Sequence, residues 1–279
     1  MLLVYCDTVL YKTLNGVFVR IFFLQIQRFV YEERTKAHSA DKLRSVEDAH
    51  LNTNGSSDSF MQANLAYADK KGAQRIIIFG FHELLQQLTK RDVQFHIDGT
   101  FTVPKGFYQC LIIGTFSELG VFLPCAYILM TRKNRMAYEL AFSQLNILLG
   151  LKMKPGFVVH DFEKALYRAI KSCFPSADLT GCFFHWAKAI SANMIKAGFP
   201  KEVAFREVKR FFLLCVVEPE EVFTKALPWI EYNVLVVEGS RWTSEDLNRW
   251  NKVFHYMKNF WDDEELVSLF NYSGKAREL

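Results

Sequence analysis

Two aspartates and one Cys–His pair are the residues whose types and spacing could carry chemistry. Asp98 closes Val93-Gln94-Phe95-His96-Ile97-Asp98, and Asp161 closes Phe157-Val158-Val159-His160-Asp161. Each run reads as a β-strand, so a fold that lays the two side by side brings two carboxylates together. Such carboxylates repel, and each raises the other's pKa unless a cation shares the site. Mg²⁺ suits that role: a hard ion held by one or two carboxylates, it retains water and binds phosphate oxygens. Spacing alone leaves ordinary alternatives open. Asp98 before Gly99 is equally a turn residue, and Asp161 stands where a helix N-cap is wanted, with Glu163 adding favourable first-turn charge.

Cys182-Phe183-Phe184-His185 is a C-x-x-H whose side chains could share one face of a helical turn. Tetrahedral zinc wants four ligands, and only Cys173 lies nearby in sequence. A buried cysteine beside a hydrogen-bonded histidine accounts for the spacing as well. The chain contains no G-x-x-x-x-G-K-[ST], no G-x-G-x-x-G and no G-x-S-x-G, which leaves nucleotide-binding and serine-hydrolase chemistry without support.

The elements that must position these residues follow from periodicity. Val93–Asp98 alternates apolar and polar, a half-buried strand with Asp98 on the Gln94/His96 face. Asp98-Gly99-Thr100 and Pro104-Lys105-Gly106 have turn chemistry. Tyr108–Thr115 and Val121–Leu129 are β-rich runs across Glu118-Leu119-Gly120, so the three strands predict an antiparallel meander. Tyr138, Phe142, Leu145 and Leu149 then form a helical stripe ended by Gly150. Phe157–Asp161 is a buried strand. Phe162, Leu166, Ala169 and Ile170 define a helix stopping by Pro175, and Asp178–Cys182 is a short strand. Trp186, Ile190, Met194 and Ala197 mark another helix, closed by Gly198 and Pro200. The predicted order is β-β-β-α-β-α-β-α, an α/β fold with a mixed sheet; helices follow, with breaks at Pro228 and Gly239-Ser240.

Composition bounds the rest. The chain has 279 residues, 50% hydrophobic and 23% charged, with a net charge of +4. That suits one or two domains with a sizeable core and lies far from disorder. Cys6, Cys110, Cys125, Cys173, Cys182 and Cys215 are too few and too scattered for a disulfide-stapled module and include no C-x-x-C, so a reduced intracellular protein is expected. Gly106–Thr131 holds a single charge, Glu118, but its longest charge-free stretch is the 13 residues Leu119–Thr131. That is short of a membrane span, and no membrane association is expected. The 26 Phe, 11 Tyr and 5 Trp fall mostly on apolar stripes, where core packing explains them.

Positive charge is concentrated: residues 91–199 carry 12 Lys and Arg against 7 Asp and Glu, whereas residues 200–279 carry 11 against 14. Four zones result: an apolar segment over 1–32, a flexible polar linker over 33–75 that includes Leu51–Asp58, a densely patterned core over 76–199, and a helical segment over 200–279.

Taken together, Phe95-His96-Ile97-Asp98-Gly99-Thr100-Phe101, His160-Asp161-Phe162-Glu163 and Gly181-Cys182-Phe183-Phe184-His185-Trp186 resemble the transposase domain of Mutator-like elements (MULE). The family pattern is D-G-T-F after a strand, a second Asp about 60 residues on, and then C-x-x-H; here the intervals are 63 and 21 positions. Phe81-His82-Glu83-Leu84-Leu85 also looks like the family's approach to D-G-T-F. The resemblance covers roughly residues 75–270. It implies an RNase H-like core followed by an all-helical C-terminal insertion, and metal-dependent DNA strand cleavage and transfer by a D-D-E triad. By resemblance Asp98 and Asp161 are catalytic metal ligands for Mg²⁺ or Mn²⁺ in a two-metal site, and Cys182 and His185 are the family's C-x-x-H pair. The implied partner is DNA bearing terminal inverted repeats, with a homo-oligomeric assembly and a nuclear location.

The pattern is incomplete at two points. The T-N-N-x-x-E string that usually carries the third acid does not occur, although Trp250–Trp261 looks like the aromatic helix upstream of it. Glu264 and Glu265 are candidates, yet Asp262-Asp263-Glu264-Glu265 reads more simply as a solvated acidic helix start. The third ligand is left unassigned, and the helical segment is expected to stop short of it. Residues 1–75 offer only Cys6 and no zinc spacing for a DNA-recognition module. Two functions are therefore carried forward: a DNA transposase-like protein of Mutator-like type, active or an inactive fragment, and a non-catalytic, domesticated DNA-binding or regulatory derivative.

Overall fold

The structure is a computed structural model and describes residues 60–273. The apolar segment 1–32 and the Leu51–Asp58 connection lie outside the described residues. The chain divides after Leu179 into two compact units.

The first unit is built on a seven-stranded mixed sheet in the order β1-β2-β5-β4-β3-β6-β7. Its strands are β1 (Met61–Asp69), β2 (Gly72–Phe79), β3 (Gln94–Thr100), β4 (Gln109–Phe116), β5 (Phe122–Met130), β6 (Phe157–His160) and β7 (Asp178–Gly181), the last straddling the division. Helices α1 (His82–Gln87), α2 (Arg135–Leu148) and α3 (Lys164–Cys173) interrupt them. Strands β3, β4 and β5 form the expected antiparallel meander. Strand β6 instead pairs parallel to β3.

Strand alternation sorts side chains into two cores. Ile76, Ile78, Phe95, Ile97, Leu111 and Ile113 pack on one face with Tyr138, Phe142 and Leu145 of α2 and Leu166 and Ile170 of α3. Phe60, Ile77, Phe79, Cys110, Tyr127 and Leu129 form a smaller cluster, against which Val103, Phe107 and Ile112 pack. Helix α2 starts at Asn134, whose side-chain oxygen accepts the Ala137 N–H at 2.9 Å. The nearly charge-free Gly106–Thr131 stretch is the β4–β5 pair, turned at Ser117–Gly120. Among the described residues no helix is long and apolar enough to cross a membrane.

Residues 61–75 depart from the expected linker, because they form β1 and the start of β2. Met61, Ala63, Leu65 and Tyr67 alternate with Gln62, Asn64 and Ala66, a period-two pattern that the polar composition and small alanines conceal. The turn closes at Gly72, whose φ of +100° a side chain would resist. Asp98-Gly99-Thr100 is a second departure: pairing with Ile112, Leu111 and Cys110 carries β3 through all three residues, so Asp98 lies within a strand rather than in a turn.

The second unit is helical, with α4 (Phe183–Ala197), α5 (Lys201–Glu207), α6 (Leu227–Tyr232), α7 (Ser244–Tyr256) and α8 (Glu264–Phe270). Trp186 of α4 stacks on Phe270 at 5.2 Å between ring centroids and meets Trp261 edge-on at 6.4 Å. The Tyr272 hydroxyl donates to the Gly181 carbonyl at 2.7 Å. Pro228 does not break the chain as expected. It sits in the first turn of α6, where its missing N–H costs nothing, and the wider helical turn Val222–Ala226 leads into it. The acidic Asp262–Glu265 run is a helix start as anticipated, with Asp263 accepting the Leu266 N–H at 3.0 Å.

An ion network ties this unit together. Glu207, 5% exposed, accepts from Arg206 Nε at 2.7 Å and from Arg210 Nε at 2.6 Å, while Arg210 also grips Glu238 through both terminal nitrogens. Burial raises the Glu207 pKa, but hydrogen bonds and charge from Arg210 and Arg206 outweigh it and hold the carboxyl below its ordinary value. Arg210→Ala should therefore destabilise the protein by about 2–3 kcal/mol in urea unfolding. With a folded pKa below the unfolded one, the Glu207 contribution is complete above the ordinary carboxylate pKa and is lost as pH falls through the depressed value. The stability gap between wild type and Glu207→Gln should accordingly narrow from pH 7 to pH 3; a constant gap would refute the linkage.

Candidate functional site

The site begins with register. Along the parallel pair, Gln94 lies opposite Phe157, Phe95 opposite Val158, and His96 opposite Val159. Asp98 lies two residues beyond the last matched pair on β3, and Asp161 directly follows the end of β6. Alternation puts Phe95 and Val158 into the α2/α3 core, so His96 and Asp98 project from the opposite face, the one carrying Ile112. The ends of β3, β5 and β6 and the start of β4 meet at this edge, the usual place for a ligand beside parallel strands.

Neither aspartate does what its ordinary alternative requires. Asp98 is exposed, and its Oδ1 accepts the Gly99 N–H at 2.7 Å within the strand. Asp161 is half-buried, and its Oδ1 accepts the Glu163 N–H at 2.9 Å. The N-cap of α3 is Glu163, so Asp161 is a turn-forming residue before the helix and not its cap. Glu163 itself is a half-buried carboxyl that sequence reasoning treated only as helix-start charge. Burial lifts its pKa, the Lys133 ammonium opposes the rise, and the Asp161 charge adds to it. Lys133 Nζ lies 3.4 Å from Glu163 Oε2. The lysine comes from the β5–α2 connection, and nothing local in sequence links it to Asp161.

Here His96 meets Phe116 and Phe122 edge-on at 4.9 and 6.0 Å, and those two rings touch each other at 5.5 Å. Burial pushes its pKa down to about 4, so the imidazole is neutral near pH 7. Its β4 partner is Gly114. A Cβ there would meet Phe122 Cζ at 2.4 Å and the Leu123 carbonyl oxygen at 2.8 Å. The bare glycine makes room for the ring that closes over the histidine.

Cys182 and His185 belong to the second unit. Cys182 is the residue before α4 and accepts the Trp186 N–H through its carbonyl at 3.0 Å. His185 is the third residue of that helix, with the Phe184 ring 5.7 Å away. Both are half-buried. Among the described residues no three His, Cys, Asp or Glu side chains gather as a metal-binding group.

Residues 94–189 match the family model of the MULE transposase domain, from the first residue of β3 into α4. That segment is similar to the transposase domain of the Mutator-like family. Both aspartates and the C-x-x-H lie inside the matched segment, and the similarity suggests a transposase-like function. No curated protein matches the sequence. Within the matched segment Gly114→Ala should cost about 1–3 kcal/mol in chemical denaturation. Adding Phe122→Leu should recover only part of that loss, because the Leu123 carbonyl still blocks the methyl; full recovery would place the whole clash on the ring.

Proposed function

We propose that the protein acts on DNA as a Mutator-like transposase, with Asp98 and Asp161 as the carboxylates that hold a divalent cation for phosphodiester cleavage and strand transfer. What supports this reading is the parallel β3–β6 ladder, whose last pair is His96–Val159, with Asp98 and Asp161 each two residues further along. Carboxylates brought close together repel, and a hard cation relieves the repulsion. An all-oxygen pair fits Mg²⁺ or Mn²⁺ that keeps much of its water shell. When bound, the ion would neutralise charge building on a phosphodiester and favour attack by water or a 3′-hydroxyl. The chain's own part is to fix the pair: β4 holds Asp98 in a strand, and the Glu163 amide orients Asp161. A two-metal arrangement would call on a third acid, which stays unassigned.

The element order from β3 to α4, a meander followed by alternating helices and strands, supports an RNase H-like core over 76–199 with residues 200–279 as the helical insertion. The same view takes terminal inverted repeats as the DNA partner, a homo-oligomer as the working assembly, and the nucleus as its location. A second function, a non-catalytic DNA-binding or regulatory derivative, is favoured by one observation: no three-acid group gathers among the described residues. The excess of 12 basic over 7 acidic residues in 91–199 serves either function.

Nicking of supercoiled plasmid with and without Mg²⁺ separates them. Wild type should nick only with the metal, and Asp98→Asn or Asp161→Asn should fall to background with unchanged circular dichroism. Equal nicking by all three would overturn the site, whereas Mg²⁺-independent DNA binding without nicking selects the second function.

A further inference from the structure

Beside the acid pair lie two large aromatic side chains that no core absorbs. Phe101, three residues beyond Asp98, is 57% exposed, and Tyr108 is 48% exposed. Both stand on the β3–β4 connection, whose Val103 and Phe107 do pack into the smaller core. The two rings meet edge to face at 5.8 Å. Lys133 reaches over from the β5–α2 connection, its Nζ 5.2 Å from the Phe101 centroid and 5.6 Å from that of Tyr108. Its ion pair with Glu163 ties this cluster to the turn that carries Asp161.

A ligand that explains all three residues needs a flat π-surface and a negative charge together. A purely apolar ligand would use the rings alone and a simple anion the ammonium alone, which stays 37% exposed beside its Glu163 partner. A nucleotide has both: a base face for an aromatic ring and a phosphate for the lysine. In duplex DNA the base faces are covered by their neighbours, so the rings can engage only an unpaired base. We propose that Phe101, Tyr108 and Lys133 form a stacking subsite for an unpaired nucleotide of single-stranded DNA next to Asp98 and Asp161. This rests on the DNA reading above and names the form of DNA that the site prefers.

The test uses the full chain in EDTA, so that no cutting intervenes, and fluorescence anisotropy with two labelled probes: a blunt duplex and the same duplex ending in an unpaired fork. Wild type should bind the fork more tightly. Phe101→Ala with Tyr108→Ala should weaken fork binding by roughly 5- to 150-fold and leave the blunt duplex within about twofold. Phe101→Tyr, which keeps a ring, should retain the fork preference. Lys133→Ala should lower the salt dependence on the fork by about 0.7 in the log–log slope. Equal affinity of wild type for both probes, or equal loss on both in the double alanine variant, overturns the subsite while leaving DNA binding in place. Failure of wild type to bind either probe overturns the DNA reading itself. Because both rings are exposed, thermal melting of the variants should match wild type and exclude unfolding as the cause.

Discussion

Everything at the candidate site depends on the parallel pairing of β6 with β3. The neighbouring meander is antiparallel and assembles from short connections, which place residues close in sequence beside one another. Only the crossover through α2 brings a residue from the far side of a helix to the edge of β3. Three matched pairs suffice to fix the register, and a parallel register has no slack, since a shift of one residue would turn every side chain of β6 to the other face. Val158 in the main core therefore determines where Asp161 goes. Packing of an apolar residue holds the position of a polar one.

The surroundings of the pair are graded in charge and water. Asp98 is open to solvent, Asp161 is half-covered, and Glu163 is shielded enough for its proton affinity to rise. Lys133 balances that acidity from a different segment of chain and simultaneously lies over two exposed rings. The His96 imidazole is kept neutral by burial against phenylalanines, so it adds no positive charge. Lys133 is a compact charge on a flexible stem, well suited to change partners.

Much of this arrangement was legible in the sequence where a strong period coincided with punctuation. The Tyr138–Leu149 stripe ended by Gly150, the meander, and the helix from Trp186 to Gly198 all appear as read. The two acids were identifiable as candidates because each closes a strand-like run. What escaped was non-local or disguised. Strand β1 was hidden because its period-two pattern is diluted by alanines on both faces. Asp98-Gly99-Thr100 has turn chemistry, yet the ladder to β4 overrides it. Pro228 reads as a break, but a helix's first turn tolerates it. Lys133 acquires meaning only when the β5–α2 connection is folded against Glu163, which no local pattern announces.

The same crossover also has a consequence in time. Closing the eight-residue loop between β3 and β4 is a local event, whereas β3 meets β6 across 56 intervening residues, from Thr100 to Phe157. Chain entropy makes the longer closure more expensive by roughly 2 kcal/mol, and such contacts form slowly. The meander can collapse before the crossover docks. During that interval Asp98 exists without its counterpart, so a nascent or partly unfolded chain presents a basic surface and one lone carboxylate. The neighbourhood of Asp98 is thus complete only once β6 has docked beside β3.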